Sequence, residues 1–157
     1  MEDMTVPNGF NMGGIVKYNF ILVDDVVSIP EAENGKIAGP VVLVTGGVWS
    51  KGYGQRGSTV YSEPEEKTGA GSVFKWLFES VVPKDRTEND VLFYKMRNGG
   101  FIIDYTDGNG LRKLIGSKSE PLQFSSSLTT RGKAHELAGH SIKFFQDGTF
   151  KSYEYAP

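Results

Sequence analysis

The sequence predicts a mainly β fold: a single-domain antiparallel β-sandwich or barrel of about ten short strands, with at most one short helix. Three observations predict it. The apolar residues are largely β-branched or aromatic and fall in short runs. Glycine takes 20 of 157 positions against a usual share of about 7%, with only 7 prolines, so glycine punctuates turns and does not signal disorder. No long amphipathic helical pattern runs through the chain.

Residues 16–27 alternate β-branched and aromatic residues with polar ones, as a strand or a bent pair of strands does. Asn34-Gly35 is a strong turn dipeptide. Residues 40–49 read as a second strand, with a bulge or close backbone approach at Gly46-Gly47. Residues 51–57 form a Gly-rich loop and 58–62 a short strand. Residues 63–71 hold no apolar side chain larger than alanine and read as a solvated loop.

Residues 72–82 fit either a helical stripe or one face of a strand. Aromatic and β-branched content favours strand over helix, and Pro83 ends the element either way. Residues 90–96 and 100–105 flank Arg97-Asn98-Gly99 as the arms of a hairpin. Asp107 to Gly110 is a turn before a strand at 111–115, and 121–128 alternates as a further strand. Residues 133–138 have room for one helical turn. Residues 141–146 and 149–155 flank Asp147-Gly148 as a two-residue hairpin. No internal repeat and no linker divides residues 1–157.

Composition removes several function classes. There is no cysteine, which excludes disulfides, thiolate metal sites and cysteine nucleophiles. Seventeen Lys and Arg against 19 acids give a net charge of −2, so no global basic field draws phosphate backbones. The acidic start, Met1 to Met4, lacks the basic and apolar regions of a secretory leader, and no apolar run approaches the ~20 residues of a membrane helix. A soluble chain without a leader is expected.

Two motif lookalikes fail on geometry. His135 and His140 stand five residues apart, whereas the zinc-protease pair needs a spacing of four; on a helix the extra residue turns the second ring about 140° from the first. Gly139 also breaks the helix. Both read as surface histidines on a turn, and no metal or cofactor is expected. Gly52-Tyr53-Gly54-Gln55-Arg56-Gly57 matches the dinucleotide fingerprint by letters, but a strand-like run follows it where the pyrophosphate needs a helix. Asp104, Asp107 and Asn109 lack the later Glu of a calcium loop. Ser125 to Ser127 form no nucleophile elbow. No catalytic residue is expected.

The Gly-rich and acidic loops lack the apolar density to pack on their own sheet, so they are expected to be contact elements. Lys51, Tyr53, Arg56, Glu63, Glu65 and Glu66 are the candidate assembly contacts, and Tyr53 is the best placed of them. The last strand, 149–155, has a single Lys and no internal Pro to defend an open edge. Trp49, Tyr53, Trp76, Phe93, Tyr94, Phe101 and Tyr105 are candidates for a stacking platform, with core packing as the alternative.

From Val91 onward the chain carries Lys113-Leu114-Ile115-Gly116-Ser117, then Pro121-Leu122, then Thr130 to Gly132 before a final aromatic strand. This resembles a group of small structural proteins of tailed phages and prophages of Bacteroidetes-type bacteria. In those, a segment of the form (K/R)-L-(I/V)-G-(S/T)-x-x-x-P-(L/V) and a Thr-Gly loop precede a last β-hairpin. The likeness spans roughly the C-terminal 65 residues and rests on structural motifs. It implies a non-enzymatic tail or neck subunit, tail-tube-like, that forms a homo-oligomeric ring with other virion proteins around a DNA passage. Such a subunit would assemble in the bacterial host cytoplasm and end in the virion, with no cofactor, no sequence-specific nucleic acid and no membrane. The alternatives are a carbohydrate-binding or adhesion sandwich, which needs an exposed aromatic row, and a hydrolase, which needs two carboxylates facing across a cleft.

Overall fold

A computed structural model describes residues 12–129 and 139–157. Strand β1 (Ile15–Leu22) runs through a 3-10 turn (Val23–Asp25) into β2 (Val26–Ser28), the bent pair expected at 16–27. The two-residue β3 (Ala32–Glu33) and β4 (Lys36–Ala38) form a hairpin. Asn34 and Gly35 make its turn, both with positive φ (51° and 79°), as a type I′ turn requires. The strand expected over 40–49 shrinks to β5 (Val42–Leu43). Next come β6 (Ser50–Lys51), β7 (Val60–Ser62), β8 (Glu65–Thr68) and the long β9 (Gly71–Pro83). Helix α1 (Thr87–Met96) precedes β10 (Gly100–Asp107), β11 (Arg112–Ile115), β12 (Leu122–Thr129), β13 (Gly139–Gly148) and β14 (Tyr153–Ala156). The mainly β fold with one short helix is as expected. Among the described residues, twelve strands share one sheet, and β2 and β5 form a second.

Strand β10 organises the molecule. One edge pairs with β1 along its length; the other is shared by β12, at Gly100 and Phe101, and β11, at Ile103 to Thr106. The sheet therefore forks. One branch continues β12–β13–β9, and the other continues β11–β14–β4–β3. The first branch curls until β9 faces β1. Its interior takes alternate residues from each strand, including Tyr18, Trp76, Phe78, Phe101, Ile103, Phe124 and Phe144. The rings meet tilted or edge-on at centroid distances of 4.8–6.2 Å, the arrangement their quadrupoles favour. The second branch folds over the other face of β1 and β10, burying Ile21, Ile102 and Leu114 against Val26, Ile37, Val41 and Tyr155. Both faces of β10 are covered, which is why Phe101-Ile102-Ile103 is apolar without alternation.

Several elements depart from expectation. Residues 90–96 are not a hairpin arm but most of α1. Phe93 and Met96, three residues apart, are its buried residues, and Glu88 and Asp90 near its start with Lys95 near its end suit the helix dipole. Residues 63–71 are not a bare loop: Glu65 to Thr68 pair with Phe74 to Gly71 as a hairpin, though all four β8 residues stay exposed. Asp147-Gly148 makes no turn. Both residues lie in the β13–β9 ladder, opposite Lys75 and Phe74. Gly148 is needed there because a Cβ would stand 2.2 Å from the Trp76 ring. The final strand is not an open edge either, since β14 lies between β11 and a parallel β4. That parallel pair is the exception to the antiparallel sheet. The helical turn expected at 133–138, His135, and Thr130 to Gly132 lie outside the described residues, as do Met1 to Met4.

Candidate functional site

The segment from Ser50 to Ser62 closes the curled sheet like a strap. At one end Ser50 and Lys51 pair with Phe20 and Asn19 of β1; at the other Val60 to Ser62 pair with Glu79 to Leu77 of β9. Between them the Gly52 amide donates to the Tyr18 carbonyl at 2.9 Å, and the Gln55 amide donates to the Val81 carbonyl at 2.7 Å. The Ser58 hydroxyl donates to the Gln55 carbonyl at 2.7 Å and accepts from the Val81 amide at 3.2 Å. A Cβ at Gly52 would fall 1.9 Å from the Tyr18 ring, and one at Gly54 would fall 2.0 Å from Ser80 Oγ. Those two glycines of the GxGxxG pattern therefore serve close backbone approach, and strand β7 follows instead of a helix. The strap is thus seated on the barrel, not merely a contact loop.

Of the candidate contacts on the strap, Tyr53 is 67% exposed, and Lys51 and Arg56 are exposed as well. The Tyr53 carbonyl accepts from the Tyr18 hydroxyl at 3.1 Å, which fixes the backbone beneath the exposed ring. Burial pushes the Tyr18 phenol above its ordinary value. Tyr53 lines a cleft of about 110 Å³ with Asn89 and Leu92 of α1. On α1, Val91, Leu92 and Tyr94 remain exposed although apolar or aromatic, and the Arg97 guanidinium stands 5.6 Å from the Tyr94 ring. Strap and helix together thus present apolar side chains on backbone that is held in place.

The acidic candidates divide. Glu63 turns inward: its carboxylate accepts from the Tyr61 hydroxyl and the Ser152 amide, both at 2.9 Å, with Lys113 Nζ at 3.8 Å. Burial first, and then the Glu63 charge, drive the Tyr61 phenol far above its ordinary value. Glu65 accepts from the Ser72 hydroxyl at 2.5 Å. Glu66 pairs with Lys75 at 2.5 Å, which lowers the carboxyl and raises the amine, but both side chains are more than half exposed and such pairs contribute little to stability. Glu65 and Glu66 therefore remain at the surface, whereas Glu63 is committed to the fold.

The aromatic platform candidates separate in the same way. Trp76, Phe93, Phe101 and Tyr105 are core and Trp49 is half-buried, leaving Tyr53 and Tyr94 outside. Asp104 is buried in a bidentate pair with Arg112 at 2.7 and 2.6 Å, and Asp107 accepts from the amides of Asn109 and Leu111.

His140 is not the surface residue expected. It lies in β13 between Val82 and Leu128, is buried, and packs edge-on to Phe93 at 5.1 Å. Its Nε2 is fully buried and has no hydrogen-bond partner, a state that costs on the order of 1–3 kcal/mol. Asp85 Oδ1 and Asp90 Oδ1 each lie 3.4 Å from it. Sequence reasoning missed both aspartates because it missed α1. The signal was the acid at Asp90 three residues after Thr87, at the start of a helix.

The described residues of the segment 113–122 serve the fold. Leu114, Ile115 and Leu122 are buried, and Gly116 takes φ +88° where the chain crosses from β11 to β12 over Phe101 and Ile102. Among the described residues no helix is long and apolar enough to cross a membrane. Comparison with protein-family models, with curated proteins and with solved structures gives no match for this chain.

Proposed function

We propose that the protein is a non-enzymatic structural subunit of a tailed-phage virion, a repeated tail or neck component that assembles with copies of itself and with other virion proteins. The observation that carries this reading is exposed Tyr53 and Leu92 at one cleft, where a strap hydrogen-bonded to β1 and β9 meets α1. The resemblance of residues 113–122 to phage structural proteins supplies the biological setting, a virion built in the bacterial host cytoplasm. Exposed Lys51 and Arg56 lie on the strap that carries Tyr53, and exposed Glu65 and Glu66 supply opposite charge for a neighbour. A closed ring repeats one such contact in every subunit.

Light scattering at micromolar concentration tests the reading. The parent chain is expected well above its 17.2 kDa monomer mass. Tyr53→Ala combined with Leu92→Ser is expected to return it to monomer with little change in melting temperature. Glu65→Ser combined with Glu66→Ser is expected to weaken assembly while sparing the melt, since both side chains are exposed. A strictly monomeric parent that joins no tail or neck assembly would sink the proposal. A carbohydrate-binding module would draw on the same Tyr53 and Tyr94, and oligosaccharide titrations that quench tyrosine fluorescence in a monomer would favour it.

A further inference from the structure

We propose that Asp85, Asp90 and His140 form a binding site for a divalent transition-metal ion, zinc by its donor set, that pins the start of α1 to the barrel. The site stands on its own geometry and is independent of the assembly reading. The three side chains come from different elements: Asp85 from the connection after β9, Asp90 from the first turns of α1, and His140 from β13. Their donor atoms all lie within 4.8 Å of one another. The two distances from His140 Nε2 are 3.4 Å. A tetrahedral zinc ion with bonds of about 2.0–2.2 Å has donor–donor edges of roughly 3.3–3.6 Å, so an ion fits both edges with the ring where it stands.

The second observation is the imidazole itself. Its side chain is 4% exposed, and the buried Nε2 faces both carboxylates without a hydrogen-bond partner. A protonated imidazole shared by the two aspartates is the competing account. Its charge-assisted bonds prefer about 2.7–2.9 Å, and one N–H cannot point along two directions. A lone pair directed at a cation between the carboxylates meets neither difficulty, and it also removes the repulsion of the two acids. The nitrogen donor selects against magnesium and calcium, which take oxygen ligands. Both aspartates are about half exposed, leaving the remaining coordination position to water.

The test uses the full chain after chelator treatment. Titration with zinc chloride, followed by calorimetry and native mass spectrometry, is expected to give one ion per chain. Free zinc at a hundredfold excess over Kd is expected to raise Tm by about 5–10 °C. Because His140 is buried, its removal also disturbs the core. The decisive variant is therefore the exposed pair Asp85→Asn with Asp90→Asn, expected to bind zinc at least about tenfold more weakly while its metal-free melt matches the parent's. Absence of zinc-dependent heat and of any Tm rise in the parent overturns the proposal. So does a double variant that binds zinc as tightly as the parent.

Discussion

The two sides of strand β10 are built by different means. On the barrel side, the 13-residue β9 and 10-residue β13 pair over ten positions and enclose interlocked aromatic rings. On the outer side, strands of two to four residues are held by turns, by aliphatic side chains, and by single bonds such as the Val41 amide donating to the Tyr155 hydroxyl at 3.1 Å. Long ladders make a region cooperative, whereas short strands depend on what they rest upon. The barrel should therefore set global stability, and the outer layer should open locally before it. The strap and α1, which carry the proposed assembly surface, sit on the barrel side.

The sharpest way to break this comparison is to cut each side once. Ile142→Ala, in the barrel, is expected to cost about 5 kcal/mol in a urea melt, whereas the same cut at the equally buried Ile37, in the outer layer, is expected to cost about 2 kcal/mol. Hydrogen exchange should find the amides of 37–43 opening well before those of β9 and β13. Equal protection on the two sides would show one cooperative unit. Asp104→Ala probes the seam, because Asp104 sits on the shared strand and binds both Arg112 and Asn19. Arg112 in turn lies 4.8 Å over the Tyr155 ring of the outer layer. Loss of the Asp104 carboxylate is expected to cost about 1–3 kcal/mol, because the Arg112 left behind is partly exposed.

Alkaline pH isolates the barrel. Tyr18 and Tyr61 hold their protons above the ordinary phenol value of 10.0, first because of burial. Above pH 10 the unfolded chain loses these protons while the folded chain keeps them. Stability present below pH 10 should therefore fall as pH rises, by about 1.4 kcal/mol per pH unit for each tyrosine. Urea midpoints at rising pH check the slope, and Tyr61→Phe should flatten it. Gly52→Ala forces a methyl group into the Tyr18 ring and is expected to cost about 1–3 kcal/mol by loosening the strap. At the other extreme, Glu66→Gln should leave the melt unchanged, since its ion pair with Lys75 lies in solvent.

Much of this architecture was legible because its causes are local. The aromatic and β-branched content of residues 72–82 favours a strand over the helical stripe that they also fit, and β9 is that strand. Asn34-Gly35 turns because both residues accept positive φ. At the candidate surface, Tyr53 was recognisable as a large ring among glycines. Glu63 was not recognisable as an internal acid, because its partners Ser152 and Lys113 lie far away in sequence.

By itself the sequence determined a mainly β chain with one short helix at most, since β-branched and aromatic runs broken by glycine favour short strands over long helices. Only the tertiary structure decided which strands meet. Asp147-Gly148 has the chemistry of a hairpin turn, yet pairing with β9 and the bulk of Trp76 over Gly148 hold it in a ladder. Residues 87–96 are helical because Phe93 and Met96 find a barrel end to cover, not because their propensity demands it. His140 meets Asp85 and Asp90 because β13 lies beside β9, which brings together residues about 50 positions apart. Such contacts depend on how the chain crosses itself, and no local pattern encodes that.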